Sequence, residues 1–195
     1  MTNFIFPLAT LAYAGRSPWF LTNFSVLGGG EGRPVFLLWG ATAGLYFCRF
    51  TGQLLKISAS CSQTAFGRRA GRPLPEAALL SLSAIFFAAA LFLPYRPERS
   101  LPLSGLHTAC AFLASAGLSA AVLLSAGRLC RLWPQLFLPF FPMAAAAACV
   151  AAVLFLAAGM VSTALEVYFS LSMAFLLSWL LHRARAAAGL SEGSP

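Results

Sequence analysis

Long apolar runs follow one another along this chain, and their interiors contain no lysine or arginine. A helix needs about 20 apolar residues to cross the hydrocarbon core of a bilayer. No stretch alternates as a transmembrane β-strand must, and backbone groups in lipid have to be satisfied internally. The pattern therefore predicts transmembrane α-helices at about 34–49, 77–93, 106–127, 136–159 and 161–181, of which the first is slightly short.

Residues 1–33 fit this pattern less well. The apolar stretch 4–14 has only about half the length of a span. Ala12, Tyr13 and Ala14 imitate a signal-peptidase site, but no basic region precedes them and the stretch is very short for a signal peptide. We interpret it as a stunted or truncated sixth helix, or as an interfacial segment, rather than as a cleaved signal.

These elements predict one fold class and one domain. The chain is expected to be an all-α, polytopic membrane helix bundle with five clear transmembrane helices and a short or truncated N-terminal hydrophobic segment. A single integral membrane domain covers residues 1–195, and 186–195 form a frayed polar tail after the last span.

The amino-acid composition agrees with a membrane protein and excludes several other classes of protein. Hydrophobic residues make up 59% of the chain and charged residues 9%, whereas soluble domains carry about 25% charged residues. An ordinary water-soluble enzyme, a disordered protein and a disulfide-stapled secreted module are therefore excluded.

The basic residues are distributed unequally between the two sides of the predicted bundle. If the spans alternate, nine of the 13 lysines and arginines fall on one side. Basic loops stay on the cytoplasmic side, so we predict a multi-pass inner or plasma membrane protein with a cytoplasmic C-terminus. The net charge of +8 reflects this bias and not a nucleic-acid partner. The nine residues are Arg49, Lys56, Arg68, Arg69, Arg72, Arg128, Arg131, Arg183 and Arg185.

One acid lies inside a predicted span. Glu166 is near the external end of the last span, and Ser162, Thr163 and Ser170 share its helical face. An ionisable residue in a membrane is costly and is a functional candidate by default. The alternative is a buried acid that only joins helices by hydrogen bonds.

A histidine is expected at a similar depth. His107 begins the third span on the external side, so it and Glu166 are candidates for an acid–base pair in which the carboxylate fixes the imidazole tautomer. They are equally candidates for a structural clamp, or for two residues that do not touch.

The segment before the first span completes the candidate site. Thr22, Asn23 and Ser25 place hydrogen-bonding side chains in an aromatic and apolar stretch, which suits the headgroup zone. Arg96 and Arg99, between the second and third spans, match a lipid phosphate. Ordinary snorkelling of long side chains is the alternative for either arginine.

Metal and cofactor chemistry is not indicated. The five cysteines form no Cys-x-x-Cys pair, and the chain contains no aspartate. The two histidines fall on opposite sides of the predicted membrane bundle. The sequence therefore predicts no metal site and no cofactor.

Three short motifs carry a family resemblance. Phe24-Ser25-Val26-Leu27-Gly28 precedes a span, an FLPYRP segment leads to Leu106-His107-Thr108, and a glutamate lies in the last span. Together they resemble the DRAM-like, Frag-type family of six-helix membrane proteins, which includes bacterial members of unknown function.

The resemblance implies a six-helix bundle in a cellular membrane, with Ser25, Gly28, His107 and Glu166 as the family-type polar residues. Some eukaryotic members of the family are tied to lipid-anchor remodelling, membrane lipid handling or autophagy. The abbreviated first helix departs from the family pattern.

Three functions follow as hypotheses. The first is a lipid-interacting polar site near the external leaflet, built from Thr22, Asn23, Ser25, His107 and Glu166, with anionic headgroups attracted by Arg96 and Arg99. The second is a membrane enzyme for lipid acyl or headgroup transfer, with His107 as base and Glu166 as its orienter. The third is a non-catalytic subunit or scaffold. The expected partners are membrane lipids, with a possible homo- or hetero-oligomer in the membrane.

Overall fold

The computed structural model describes residues 5–15, 17–66 and 74–192, with side chains up to residue 189. Over these ranges the chain forms helices joined by turns, and no strand is found there. A 3-10 turn at Gly30–Gly32 precedes the third α-helix. The α-helices are α1 Ile5–Ala14, α2 Phe24–Leu27, α3 Arg33–Phe66, α4 Leu74–Phe92, α5 Leu101–Leu132, α6 Pro134–Phe137, α7 Phe140–Ala158 and α8 Thr163–Glu192.

Four helical segments are long and apolar enough to cross a membrane. They are α4, α5, α6 combined with α7, and α8 up to Gly189, and each overlaps one of the predicted spans after the first. The short apolar helix α1 lies at the N-terminus. The predicted all-α membrane helix bundle is therefore confirmed.

The first predicted span, 34–49, is the N-terminal half of α3, a helix of 34 residues. Arg33 and Arg49 bound its apolar run within the same helix, so α3 is less apolar over a full span length than the four segments above. Protein covers one face of this half of α3, where Ala43 and Tyr46 lie in the main core. Leu38 and Leu45, on another face, are exposed. At about 1.5 Å per residue, α3 is about 50 Å long and exceeds a hydrocarbon core of about 30 Å.

The N-terminal helix α1 is short, and one face of it packs against α3 and α8. Phe6, Thr10 and Ala14 are buried at four-residue spacing, which places them on one face of the helix. The Phe6 ring stacks on Tyr46 of α3 at 4.9 Å between centroids. The Thr10 hydroxyl donates to the Phe6 carbonyl and accepts from the Trp39 indole N–H. These contacts show how a helix too short to span a bilayer is held in place.

The main core lies between α3, α5 and α8. Leu54, Leu129 and Leu177 are fully buried there, and α6 adds Phe137. Helix α4 packs most extensively against α5, and the Ser83 hydroxyl donates to the carbonyl of Ala114 at 2.6 Å. Helix α7 packs mainly against α8, and little of it is buried within the protein.

The bundle has two different ends. At one, called the site end, α3, α5 and α8 begin and α4 ends: Arg33 reaches the carbonyl of Leu91, and Thr163 donates to the carbonyl of Thr22. At the opposite, far end, α4 begins and the C-terminal part of α5 passes it. The placement of the far end in the cytoplasm stays a prediction from charge. Four basic residues used in that charge comparison, Arg16, Arg68, Arg69 and Arg72, lie outside the described residues.

A buried ion pair joins α4 to α5 at the far end. The guanidinium of Arg128 donates from Nε and Nη2 to Oε1 of Glu76, at 2.9 and 2.7 Å. The Glu76 side chain is 3% exposed. Glu76 immediately precedes the predicted span at 77–93, so sequence reasoning did not count it among the intramembrane acids.

The last helix extends beyond its predicted span. Helix α8 continues through Glu192 into the segment predicted as a polar tail. Ala184 and Ala187 are buried, so this extension still packs against the bundle. Residues 193–195 of the predicted tail lie outside the described residues.

Candidate functional site

The segment between α1 and α3 turns back over the site end and binds the N-terminus of α8. The backbone N–H and the hydroxyl of Thr163 donate to the carbonyl of Thr22, at 2.6 and 3.1 Å, and the N–H of Ala164 donates to the carbonyl of Trp19. The first N–H groups of a helix have no partner within it. Loop carbonyls supply those partners here, which fixes the loop to α8.

The same segment forms the four-residue helix α2, which carries Ser25. The Asn23 side chain caps α2 by accepting from the N–H of Val26 at 2.8 Å. The Tyr13 hydroxyl donates to the carbonyl of Phe24. A Cβ on Gly28 would lie 2.5 Å from the ring of Phe36, so only glycine lets the end of α2 pack this closely on α3. Local capping and close packing together hold Ser25 in place.

Glu166, in the first turn of α8, is hydrogen-bonded to α2. Its Oε2 accepts from the backbone N–H of Phe24 at 2.5 Å. Ser162, Thr163 and Ser170 are buried, as expected for a polar face that turns inwards. The N–H of Phe24 is at the start of α2 and has no partner within that helix, and the carboxyl group of Glu166 supplies one. Glu166 therefore ties α2 to α8.

His107, in α5, is bonded through both ring nitrogens. Nδ1 lies 3.2 Å from the carbonyl oxygen of Leu93, and Nε2 lies 2.7 Å from Oγ of Ser25. A carbonyl can only accept, so Nδ1 carries the proton and Nε2 of the neutral ring has a free lone pair. The hydroxyl of Ser25 then donates to Nε2.

The carbonyl that binds His107 belongs to a supported turn. Helix α4 ends at Phe92, and its last carbonyls have no partner within the helix. The guanidinium of Arg33 donates to Leu91 and Phe92, at 2.5 and 3.2 Å. His107 binds the next carbonyl, that of Leu93. The orientation of the imidazole thus depends on the C-terminus of α4.

A cavity of about 310 Å³ opens beneath these residues. Its walls come from α3, α4, α5 and α8 and are almost entirely apolar or small. Ligand pockets in proteins run from about 300 to 1,000 Å³, so this cavity is at the small end of that range. The wall residues include Gly44, Phe87, Ala111 and Leu118.

The ionisable residues of the cavity lie at the site end, whereas Ser83, Ser115 and Ser170 are polar residues further along its wall. Ser25, His107 and Glu166 all line it. Glu166 and His107 bind adjacent residues of α2, namely Phe24 and Ser25. The two side chains share a cavity, and no hydrogen bond joins them within the described part of the chain. The carbonyl of Leu93, and not Glu166, orients the imidazole.

The other predicted site residues lie elsewhere. Thr22 and Asn23 are buried, and they hold the loop and cap α2 without lining the cavity. Arg96 and Arg99 are exposed on the turn between α4 and α5. The structure brings together three of the seven candidates; the role of each in ligand binding stays a prediction.

Sequence reasoning placed Ser25 and His107 in one site but did not predict that they contact each other. They are 82 residues apart in sequence, and no local spacing links a serine before one helix to a histidine in another. The carbonyl of Leu93 is also invisible to a search for side-chain motifs. Among the described residues, no cluster of three or more histidine, cysteine or acidic side chains is placed to hold a metal ion.

Comparisons with protein families, curated proteins and solved structures find no match to this chain. The resemblance to the DRAM-like, Frag-type family therefore stays a prediction.

Proposed function

We propose that this chain is a multi-pass membrane protein that binds a single membrane lipid in the cavity beneath α2. One observation carries the proposal: an apolar cavity between four helices ends in Ser25, His107 and Glu166. An acyl chain fits the walls, and the polar group that joins it to the headgroup fits the polar end.

The depth of the polar end agrees with this assignment. Glu166 is three residues into α8 and His107 is six residues into α5, so they lie about 5 and 9 Å from the starts of these helices at 1.5 Å per residue. That depth is close to the boundary between headgroups and acyl chains. A lipid ester or phosphate at this boundary meets the hydroxyl, imidazole and carboxylate without leaving the bilayer.

The walls favour hydrocarbon over a water-soluble ligand. The cavity reaches from His107 to Leu118 along α5, about 16 Å at 1.5 Å per residue. Each methylene removed from water contributes about 0.8 kcal/mol. A polar metabolite would leave most of this wall without a favourable contact.

The turn between α4 and α5 carries Arg96, Glu98 and Arg99, all exposed, and its remaining net positive charge favours an anionic headgroup. Arg96 and Arg99 are exposed beside the start of α5. Each basic side chain near an anionic membrane surface contributes about 1 kcal/mol. The two arginines attract the headgroup, whereas the cavity holds the acyl chain.

Filling the cavity tests the proposal. The protein is purified in a mild detergent, and native mass spectrometry measures the retained lipid. We expect wild-type protein to retain one phospholipid and Ala111→Phe, which places a ring in the cavity, to lose most of it. Ala152→Phe, on the exposed face of α7, is the matched control and should retain lipid as wild type does. A wild-type protein without lipid, or equal retention in both variants, would contradict the proposal.

A further inference from the structure

We propose that Ser25 and His107 form a nucleophile and general-base pair that transfers the acyl group of a lipid ester. The proposal rests on the lipid-binding function above, because the cavity supplies the substrate. It differs from an acid–base pair of His107 and Glu166 in naming a serine nucleophile and in giving Glu166 a positioning role.

The first argument is the direction of the hydrogen bonds. The proton on Nδ1 is held by the carbonyl of Leu93, so Nε2 accepts the hydroxyl proton of Ser25. The distance of 2.7 Å lies within the range for a nucleophile and its base. In serine hydrolases a third group keeps the histidine in the correct tautomer. Leu93 provides that group from the backbone.

The second argument is that the partner of Ser25 is an imidazole, whereas Ser83 donates to a backbone carbonyl of α5 and Ser178 bonds to the hydroxyl of Tyr46. Ser115, Ser119 and Ser125 each donate to the carbonyl four residues before them. That local bond satisfies a hydroxyl in a membrane helix without any partner element. Ser25 bonds to an imidazole from a distant helix instead and lines the cavity.

The third argument is that the nucleophile is held firmly. Asn23 caps α2, and Glu166 binds the N–H of Phe24, the residue before Ser25. A catalytic group needs this kind of support, because a displacement of about 1 Å can cost about 100-fold in rate. Glu166 is therefore a positioning residue.

The reaction needs only water or an alcohol as its second substrate. Oγ of Ser25 attacks the ester carbonyl as its proton passes to Nε2 of His107. The ester C–O bond then breaks, the leaving alcohol takes that proton, and the acyl group is linked to Ser25. Water or a second lipid alcohol gives its proton to Nε2 and attacks the acyl group. Oγ leaves with that proton, and the product is a free acid or a new ester.

The position of the cavity sets the substrate class. It extends from the pair along α5 as far as Leu118, so the transferred group is a long acyl chain. The leaving alcohol lies on the opposite side of Ser25, at the membrane surface. A lipid ester with its carbonyl at the headgroup boundary fits both requirements.

A long-chain alkyl fluorophosphonate tests the nucleophile on the full-length protein in detergent. Ser25 displaces fluoride from the probe, and peptide mass spectrometry locates the adduct. We expect the adduct on Ser25, none in Ser25→Ala, and wild-type labelling in Ser119→Ala. His107→Ala should slow labelling at least about 100-fold, which is the usual contribution of a general base.

A second variant separates catalysis from folding. His107→Gln keeps a donor and an acceptor in place of the ring nitrogens but supplies no base. We expect it to melt at a temperature close to that of wild type and still to lose labelling. Labelling of His107→Gln at the wild-type rate would overturn the proposal.

The outcomes also distinguish the two proposals. Wild-type protein that retains lipid but gives no adduct on Ser25 overturns acyl transfer and leaves lipid binding intact. Protein that retains no lipid overturns lipid binding, and the acyl transfer that rests on it fails with it.

Discussion

Among the described residues, Glu76 and Glu166 each bind a partner on another helix, and the difference between those partners separates structure from function. At the far end, Glu76 binds Arg128 through two N–H groups, and the pair joins α4 to α5. At the site end, Glu166 binds the backbone N–H of Phe24. The first acid is neutralised by a cation on a neighbouring helix, whereas the second holds a short helix over a cavity.

The surroundings of the two acids differ as well. Glu76 is almost fully covered by protein, and it lies away from the cavity beneath α2. Glu166 lines that cavity together with Ser25 and His107. The ion pair with Arg128 accounts for the burial of Glu76, so no ligand is needed to explain it. A carboxylate that faces an open cavity leaves an accessible polar site, and this is where a ligand is proposed.

Breaking the far-end pair should have the largest effect on stability. Glu76→Leu leaves the charge of Arg128 partly buried without its partner carboxylate, and losing one partner of a buried pair costs about 3–5 kcal/mol. Arg128 is 18% exposed, so we expect about 3 kcal/mol. The measurement is the melting temperature in detergent, read by tryptophan fluorescence.

The control for this prediction is the double variant Glu76→Leu/Arg128→Met. Replacing both charges by apolar groups also removes the charge that Glu76→Leu leaves without its carboxylate, and we expect most of the lost stability to return. Lipid retention should match wild type in this double variant. If the double variant were as unstable as Glu76→Leu, the lost stability would come from other contacts of these two side chains. It would not come from a charge that has lost its carboxylate.

Two substitutions of Glu166 should sharpen the comparison at the site end. Glu166→Ala leaves the N–H of Phe24 without its acceptor, which costs about 1–3 kcal/mol for a buried donor. It removes the bond between α2 and α8, while Thr163 still binds the carbonyl of Thr22. Glu166→Gln keeps a carbonyl acceptor and should cost less than about 1 kcal/mol. Melting temperature and the labelling rate of Ser25 are both measured.

The contrast between alanine and glutamine is the decisive result here. A positioning residue is rescued by glutamine, so labelling of Ser25 should fall in Glu166→Ala and recover in Glu166→Gln. If glutamine abolished labelling without lowering the melting temperature, the charge itself would be required and the hypothesis of an acid–base role for Glu166 would be favoured.

The smallest effect is expected from the exposed arginines. Arg96→Gln/Arg99→Gln should leave the melting temperature unchanged and reduce the preference for anionic over neutral lipid. The reduction corresponds to at most about 1 kcal/mol per charge at low salt, and it should diminish as salt screens the surface. Native mass spectrometry with mixed phosphatidylglycerol and phosphatidylcholine measures the preference.

The matched control for the arginine variant is Arg131→Gln at the far end, where the side chain is also exposed. We expect no change in lipid preference at the cavity. An equal loss in the control would mean that total charge, and not the site end, sets the preference.

The apolar runs were sufficient to predict α4, α5, α7 and α8, because a membrane span needs about 20 apolar residues whatever packs around it. They did not predict the helix boundaries. Helix α5 runs from Leu101 to Leu132 and extends beyond the run at 106–127 at both ends, because hydropathy marks the part in lipid and not the whole helix. The break before α7 lies at Pro139, which has no N–H to continue a helix.

The candidate site was predictable only in part. A lone acid in a span is expensive, so Glu166 could be singled out without a structure. Its partner could not, because a backbone N–H has no identity in the sequence. Glu76 was missed for a related reason: it lies just outside an apolar run, and its burial depends on Arg128 of another helix.

By itself, the sequence determined that this protein is a bundle of apolar helices with a polar face in its last span. Hydropathy and helical periodicity are local properties, so they can be read along the chain. Only the tertiary structure decided that Ser25 meets His107, that Leu93 orients the imidazole, and that a cavity remains between four helices. Contacts between distant residues depend on how helices pack, and the spaces that packing leaves unfilled belong to no single segment of the chain.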